Sequence, residues 1–182
     1  MFKRLNTIRT VYDMYRYEKE LNKKLANLPE AERRTNANEV IKAHTGYALG
    51  GALIPVPAAD ILAVSAIQLN MVRHLARIYQ VSFKDALGKT IIAALAGTGV
   101  ARLGASAVKA IPLIGTVIGE MSMGVLSGVS TYALGHVIAN HLDNGGTLEQ
   151  FNLKEARKEY LAQIIKAKEA TTAIQQQKPL NP

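Results

Sequence analysis

Four histidines, two carboxylates in apolar surroundings and a Gly88-Lys89-Thr90 tripeptide are the places where this sequence could do chemistry. His136 and His141 stand five residues apart. A helical pair of metal ligands needs an i, i+4 spacing so that both rings share one face. Asp143 is the acid nearest to them. With no cysteine in the chain, thiolate zinc sites, disulfides and a cysteine nucleophile are excluded. The histidines, His44 and His74 included, therefore read as helix-surface or capping residues, and no metal site is expected.

Asp60 and Glu120 sit among apolar residues, where desolvation would raise a carboxyl pKa. A carboxylate at a helix start more often satisfies exposed N–H groups, and capping is the preferred reading of Asp60. Gly88-Lys89-Thr90 ends like a phosphate-binding loop, but the first glycine of that loop would fall at Phe83. Gly97-Thr98-Gly99 and Gly50-Gly51 do not form a dinucleotide fingerprint, and no strand precedes them. No serine stands in a nucleophile elbow. The sequence predicts no catalytic residue, no cofactor and a protein that is not an enzyme.

What must be positioned is a long apolar centre between two charged arms. The 182 residues are 48% apolar and 20% charged, which suits one domain with extensions. Residues 1–44 carry 10 Lys+Arg and 6 Asp+Glu, residues 45–140 carry 6 and 3, and residues 141–182 carry 6 and 5. The net charge of +8 is thus densest at the N-terminus. No apolar signal segment follows Met1, so a cytoplasmic location is expected.

Residues 2–25 read as a basic amphipathic helix. Phe2, Leu5, Ile8, Tyr12 and Tyr15 recur at helical spacing among Lys3, Arg4, Arg9, Arg16 and Lys19. Phe2, Lys3, Arg4, Arg9 and Arg16 are the candidates for contact with anionic lipid or a partner. A second helix spans 30–54 and is broken by Pro55 and Pro57. A third follows over 58–79, with Gln68, Arg73, His74 and Arg77 marking its polar side. Ser82 is the expected N-cap of a fourth helix over 83–110, broken near Gly97. Residues 113–142 follow, and 121–142 contain no Asp, Glu, Lys or Arg. Asp143 to Thr147 reads as a turn, and 147–176 as an amphipathic helix. No strand alternation is sustained. The predicted class is all-α, a bundle of about six helices with Gly/Ala-rich antiparallel central hairpins and amphipathic terminal helices. Four regions are expected: a basic helical arm (1–42), an apolar Gly/Ala-rich core (43–142), a C-terminal amphipathic helix (143–176) and a flexible tail (177–182).

Three i, i+4 glycine pairs, Gly46/Gly50, Gly115/Gly119 and Gly124/Gly128, fall in the apolar centre. Residues four apart share a helix face, and missing side chains there let two backbones approach. These glycines are the expected helix-packing positions. A spanning helix needs about 20 mostly apolar residues. Segment 121–142 has the length but carries His136, Asn140, His141 and three serines, and mean hydropathy is only +0.05. A bundle that is peripheral or partly inserted, with a hairpin around Pro112, is therefore expected.

The stretch His44-Thr45-Gly46 through Ile54-Pro55-Val56-Pro57-Ala58-Ala59-Asp60, with Gln68 and Met71 beyond it, resembles a bacterial family of unknown function. That family occurs beside or fused to small GTPases and includes YcjF-type inner-membrane proteins. The resemblance runs to about residue 142, roughly half of the chain, and marks Pro55, Pro57, Asp60 and Gln68 as family-like positions. It implies a helical, membrane-linked accessory module without an assigned catalytic role. This sequence carries no GTPase domain, so the resemblance implies a separate GTPase as partner.

The expected function is a non-enzymatic membrane-associated scaffold or adaptor, acting with a separate GTPase. Its expected place is the cytoplasmic side of the inner membrane, with a cytoplasmic protein as the alternative. Expected partners are an anionic membrane surface or lipid and further copies of the chain. The alternative function is a soluble self-assembling structural protein. The third is an enzyme using an acid or histidine in an apolar pocket. Nucleic acid is disfavoured despite an isoelectric point near 9.7, because no recognised binding motif is present.

Overall fold

Prolines and left-handed residues punctuate the chain where its helices begin and end. The computed structural model describes residues 19–51, 59–97 and 123–176 together with the short connections at 27–29, 79–84 and 144–152; side chains are described over 19–49, 63–96 and 124–167. Among the described residues every regular element is helical, and the protein is an all-α bundle. Residues 19–26 form α1. Pro29, which cannot donate a backbone hydrogen bond, precedes α2 (Glu30–Gly51), and Glu30 and Glu32 face the positive end of that helix. Next come α3 (Ala59–Ile78) and α4 (Asp85–Ile92), which widens into a π-helical turn at Ala93–Gly97. Then follow α5 (Met123–Asp143), a 3-10 turn at Leu148–Gln150 and α6 (Leu153–Gln176).

Two helices stop in the same way. At the end of α3, Val81 N–H reaches back to Ala76 O (2.8 Å) with Gln80 at φ 58°. At the end of α5, Gly146 N–H reaches His141 O (3.0 Å) with Gly145 at φ 78°. Both are left-handed closures that satisfy otherwise orphaned carbonyls. The sequence marks the second through its Asn144-Gly145 pair. The first is unmarked, because glutamine is a poor choice for that conformation.

Two helix starts differ from expectation. Ser82 does not cap α4. The helix begins at Asp85 behind an extended Lys84, with no side-chain cap, and Gly88 N–H to Lys84 O (3.0 Å) closes the first turn. Asp85 instead faces Arg73 of α3 at 3.2 Å. At the other end, the helix expected from 147 starts at Leu153. Asn152 Oδ1 accepts from Lys154 N–H (3.1 Å) and Glu155 N–H (3.4 Å), which makes Asn152 the cap. The α-helical pattern of α4 gives way at Ala93, four residues before Gly97.

Cross-contacts fix the helix directions. Arg34 meets Asp143 (3.3 Å), Ile41 lies against Gly135 and Leu49 against Gly128, so α2 and α5 run antiparallel. Met71 also touches Gly135, and Gln68 bonds to Ser130 and Thr131, so α3 runs parallel to α5. The turn after α5 folds α6 back, with Phe151 edge-on to His141 and Tyr160 bonded to Ser130. α5 is therefore the hub, packed by α2, α3 and α6. Ile41, Met71, Leu75, Leu134, Ile138 and Tyr160 form the centre of one apolar core, which Leu25 and Leu28 join from the N-terminal side and Ile91 and Leu95 from α4 and its π turn. No described helix is long and apolar enough to cross a membrane.

Candidate functional site

The uncharged run of α5 serves two faces. One face carries Ser127, Ser130 and Thr131 inward. Gln68 Nε2 donates to Ser130 Oγ (3.3 Å) and Thr131 Oγ1 (3.2 Å). Ser130 Oγ lies 2.8 Å from Tyr160 Oη, and Thr131 Oγ1 donates to Ser127 O (2.8 Å). All four side chains of this node are buried. Gln68 is thus not on a solvent-facing polar side of α3, as its composition suggested. Its amide offers two donors to two hydroxyls of α5, and Ser130 passes the link on to Tyr160 of α6, so the node joins three helices. Burial pushes the Tyr160 phenol up to about 12, with its Ser130 hydrogen bond opposing, so the node is neutral at ordinary pH. Among the described residues, the side chains bonded to Ser130 are the Gln68 amide and the Tyr160 phenol, and the node links α3, α5 and α6.

The other face of α5 opens onto a lateral groove of about 450 Å³. Val125, Gly128, Val129 and Tyr132, at i, i+3, i+4 and i+7, form its floor. Thr45 and Leu49 of α2 form one wall, and Gln163, Lys166 and Ala167 of α6 the other. Leu49 (45% exposed) and Tyr132 (36%) are two of the four exposed large apolar side chains among the described residues. Lys166 is the charged member of this lining and is exposed. Tyr132 also lies against His136, ring centroids 4.2 Å apart. Burial, then Arg34, holds the His136 imidazole below its usual pKa, with Glu159 opposing.

The histidines divide into two kinds. His141 caps the turn, its Nε2–H donating to Thr147 O (2.8 Å). His44 and His74 are buried, at 6% and 3% exposure, and do not lie on helix surfaces as expected. Their rings meet edge to face with centroids 5.3 Å apart where α2 crosses α3, and His44 Nδ1–H donates to Val40 O (2.8 Å). Burial, then the charges of His44, Arg77 and Arg73, pull the His74 pKa down to about 4. A neutral imidazole in a helix contact is a polar ring used as packing. Among the described residues no group of three or more potential metal ligands comes together.

Of the glycines singled out by spacing, Gly128 lies where Leu49 crosses α5: a Cβ there would stand 2.6 Å from the leucine side chain. At Gly46 an added Cβ meets nothing within 4 Å. Gly124 lies in the first turn of α5. Gly50 is the penultimate residue of α2, with its surroundings outside the described residues, and Gly115 and Gly119 lie outside them entirely. Sequence reasoning missed Gly135, where a Cβ would meet Ile41 at 2.8 Å and Met71 Sδ at 3.1 Å. Gly128 and Gly135 are seven apart, two helical turns on one face. A search at that spacing, as well as at four, would have found the pair. Asp60 is the second residue of α3, with its side chain outside the described residues. Pro55, Pro57, Glu120, Phe2, Lys3, Arg4, Arg9 and Arg16 also lie outside them.

The described residues thus form an all-helical bundle, with neutral polar side chains bonded inside and an apolar groove open on its flank. The chain belongs to the family described as "Domain of unknown function (DUF697)", which matches residues 16–166. This is the GTPase-associated family that the His44–Met71 stretch resembles, and the match reaches beyond that stretch on both sides. The chain is also similar to "Magnetosome membrane protein 22" of Magnetospirillum gryphiswaldense. They are 36% identical over 148 residues, covering 78% of this chain and 75% of that protein. No solved structure matches it.

Proposed function

We propose that this protein is a non-enzymatic, membrane-associated helical scaffold or adaptor that works with a separate GTPase on the cytoplasmic side of the inner membrane. The observation that carries this reading is the 36% identity to a protein named for a membrane. Membership of a GTPase-associated family supports the partner. The neutral buried node supports a packing role, since its hydroxyls are bonded to an amide, a phenol and a backbone carbonyl. Membrane contact on this reading is peripheral or partly inserted. Phe2, Lys3, Arg4, Arg9 and Arg16 contribute cations and apolar surface to an anionic bilayer, and further copies of the chain associate with it.

Flotation tests the reading. The protein rises with phosphatidylglycerol vesicles at low salt and is released as salt increases, because exposed charge attraction is screened. Sedimentation without vesicles at low salt, together with extraction from cells without detergent, overturns it.

A further inference from the structure

We propose that the groove between α2, α5 and α6 binds one acyl chain of an anionic membrane phospholipid, with the Lys166 ammonium holding the headgroup. This rests on the membrane association proposed above and gives it a specific site. The groove volume of about 450 Å³ lies in the range of single small-ligand sites, roughly 300–1,000 Å³. Its floor is apolar where α5 presents Val125, Gly128 and Val129, and Gly128 leaves that floor without a side chain. Among the described lining residues the charged one is Lys166, which is exposed. A hydrocarbon tail with an anionic head has that same division. Lysine suits the position because its stem can lie along the apolar wall while the ammonium stays in the headgroup layer. Exposed Leu49 of the wall and Tyr132 of the floor give the groove apolar surface and an aromatic ring of the kind that sits at a bilayer interface. Since no described helix crosses a membrane, holding one lipid tail is a means of attachment that does not require a span.

The chain has no tryptophan, so Tyr132→Trp places a single reporter at the groove. The probe is vesicles of phosphatidylcholine and phosphatidylglycerol, with bromine on the phosphatidylglycerol acyl chains. Bromine is expected to quench the reporter, and Ala167→Phe, added to the same variant, fills the groove and abolishes quenching while helical content is kept. Lys166→Gln weakens vesicle affinity roughly fivefold, the effect of one cation near an anionic surface, whereas Lys89→Gln on α4 leaves it nearly unchanged. Vesicle binding without quenching, or equal effects of the two lysine variants, overturns the groove site and leaves membrane association standing. Failure of the unmodified protein to bind vesicles overturns both. A reporter shift that follows protein concentration without lipid identifies a second copy as occupant and overturns the proposal. Quenching by brominated free fatty acid without binding to vesicles overturns the assignment to a bilayer lipid.

Discussion

Single residues decide how closely these helices approach. Gly128 and Gly135 lie on one face of α5, but their neighbours differ. Leu49 at Gly128 is 45% exposed and can swing aside, whereas Ile41 at Gly135 is fully buried and β-branched. Gly135→Ala is therefore expected to cost about 1–3 kcal/mol in denaturant unfolding, the usual penalty of overpacking. Gly128→Ala should be near neutral, because a helix-propensity gain of up to about 1 kcal/mol offsets the displacement of Leu49. Equal losses at both positions would contradict this account. His74 supplies the pH dependence. In the unfolded chain its imidazole takes a proton near 6.5, and in the folded protein near 4. The unfolded state binds that proton first, so the contribution is whole above about pH 6.5 and is lost as pH falls toward 4. It amounts to about 3 kcal/mol at most, and His74→Phe should flatten that part of the stability–pH curve in thermal melts. An unchanged curve would remove His74 as the cause. Neither behaviour was legible in the sequence, where His74 looked like part of a polar stripe and Gly135 like one small residue among many.

Elements show more of the sequence's own logic. Breakers and turn residues mark the start of α2 and the end of α5 to within a residue or two, because Pro29 and Asn144-Gly145 act on local backbone geometry, while the Pro55/Pro57 pair lies outside the described residues. Caps were harder to place, since several polar residues near each start compete. Asn152 was overlooked because the apolar pattern already suits a helix from Thr147. The chain instead makes a 3-10 turn that buries Leu148 before α6 begins. Asn152→Ala should cost about 1 kcal/mol, read as a lower urea midpoint, and Asn152→Asp should retain most of that stability. At α4 the corresponding substitution, Ser82→Ala, should change little, because no side chain caps that helix. The uncharged run of α5 looked marginal as a membrane span. The Ser130 and Thr131 hydroxyls have partners within the bundle, and three helices pack against it.

At the scale of the whole molecule, the core begins before α2. Leu25 and Leu28, at 3% and 6% exposure, pack into the same core as Tyr160 and Ile164. Leu25→Ala is expected to cost about 2–5 kcal/mol, as for other buried leucines. A truncation that starts at Glu30 should lower the melting temperature as well as remove the basic segment 2–25. A truncated protein that melts like the full chain would contradict the packing of α1. Lipid contact by Phe2, Lys3, Arg4, Arg9 and Arg16 is therefore better tested by charge substitutions than by deletion. The sequence by itself determined the all-α class, several helix limits, the uncharged run of α5 and the family, since each is written in local periodicity, backbone breakers or a contiguous motif. Only the tertiary structure decided that Gln68 bonds to hydroxyls 62 and 63 positions away, that two histidines meet inside the bundle, and that α5 leaves a groove on one face. Such contacts join residues whose separation along the chain carries no period, and they exist only once the helices have packed.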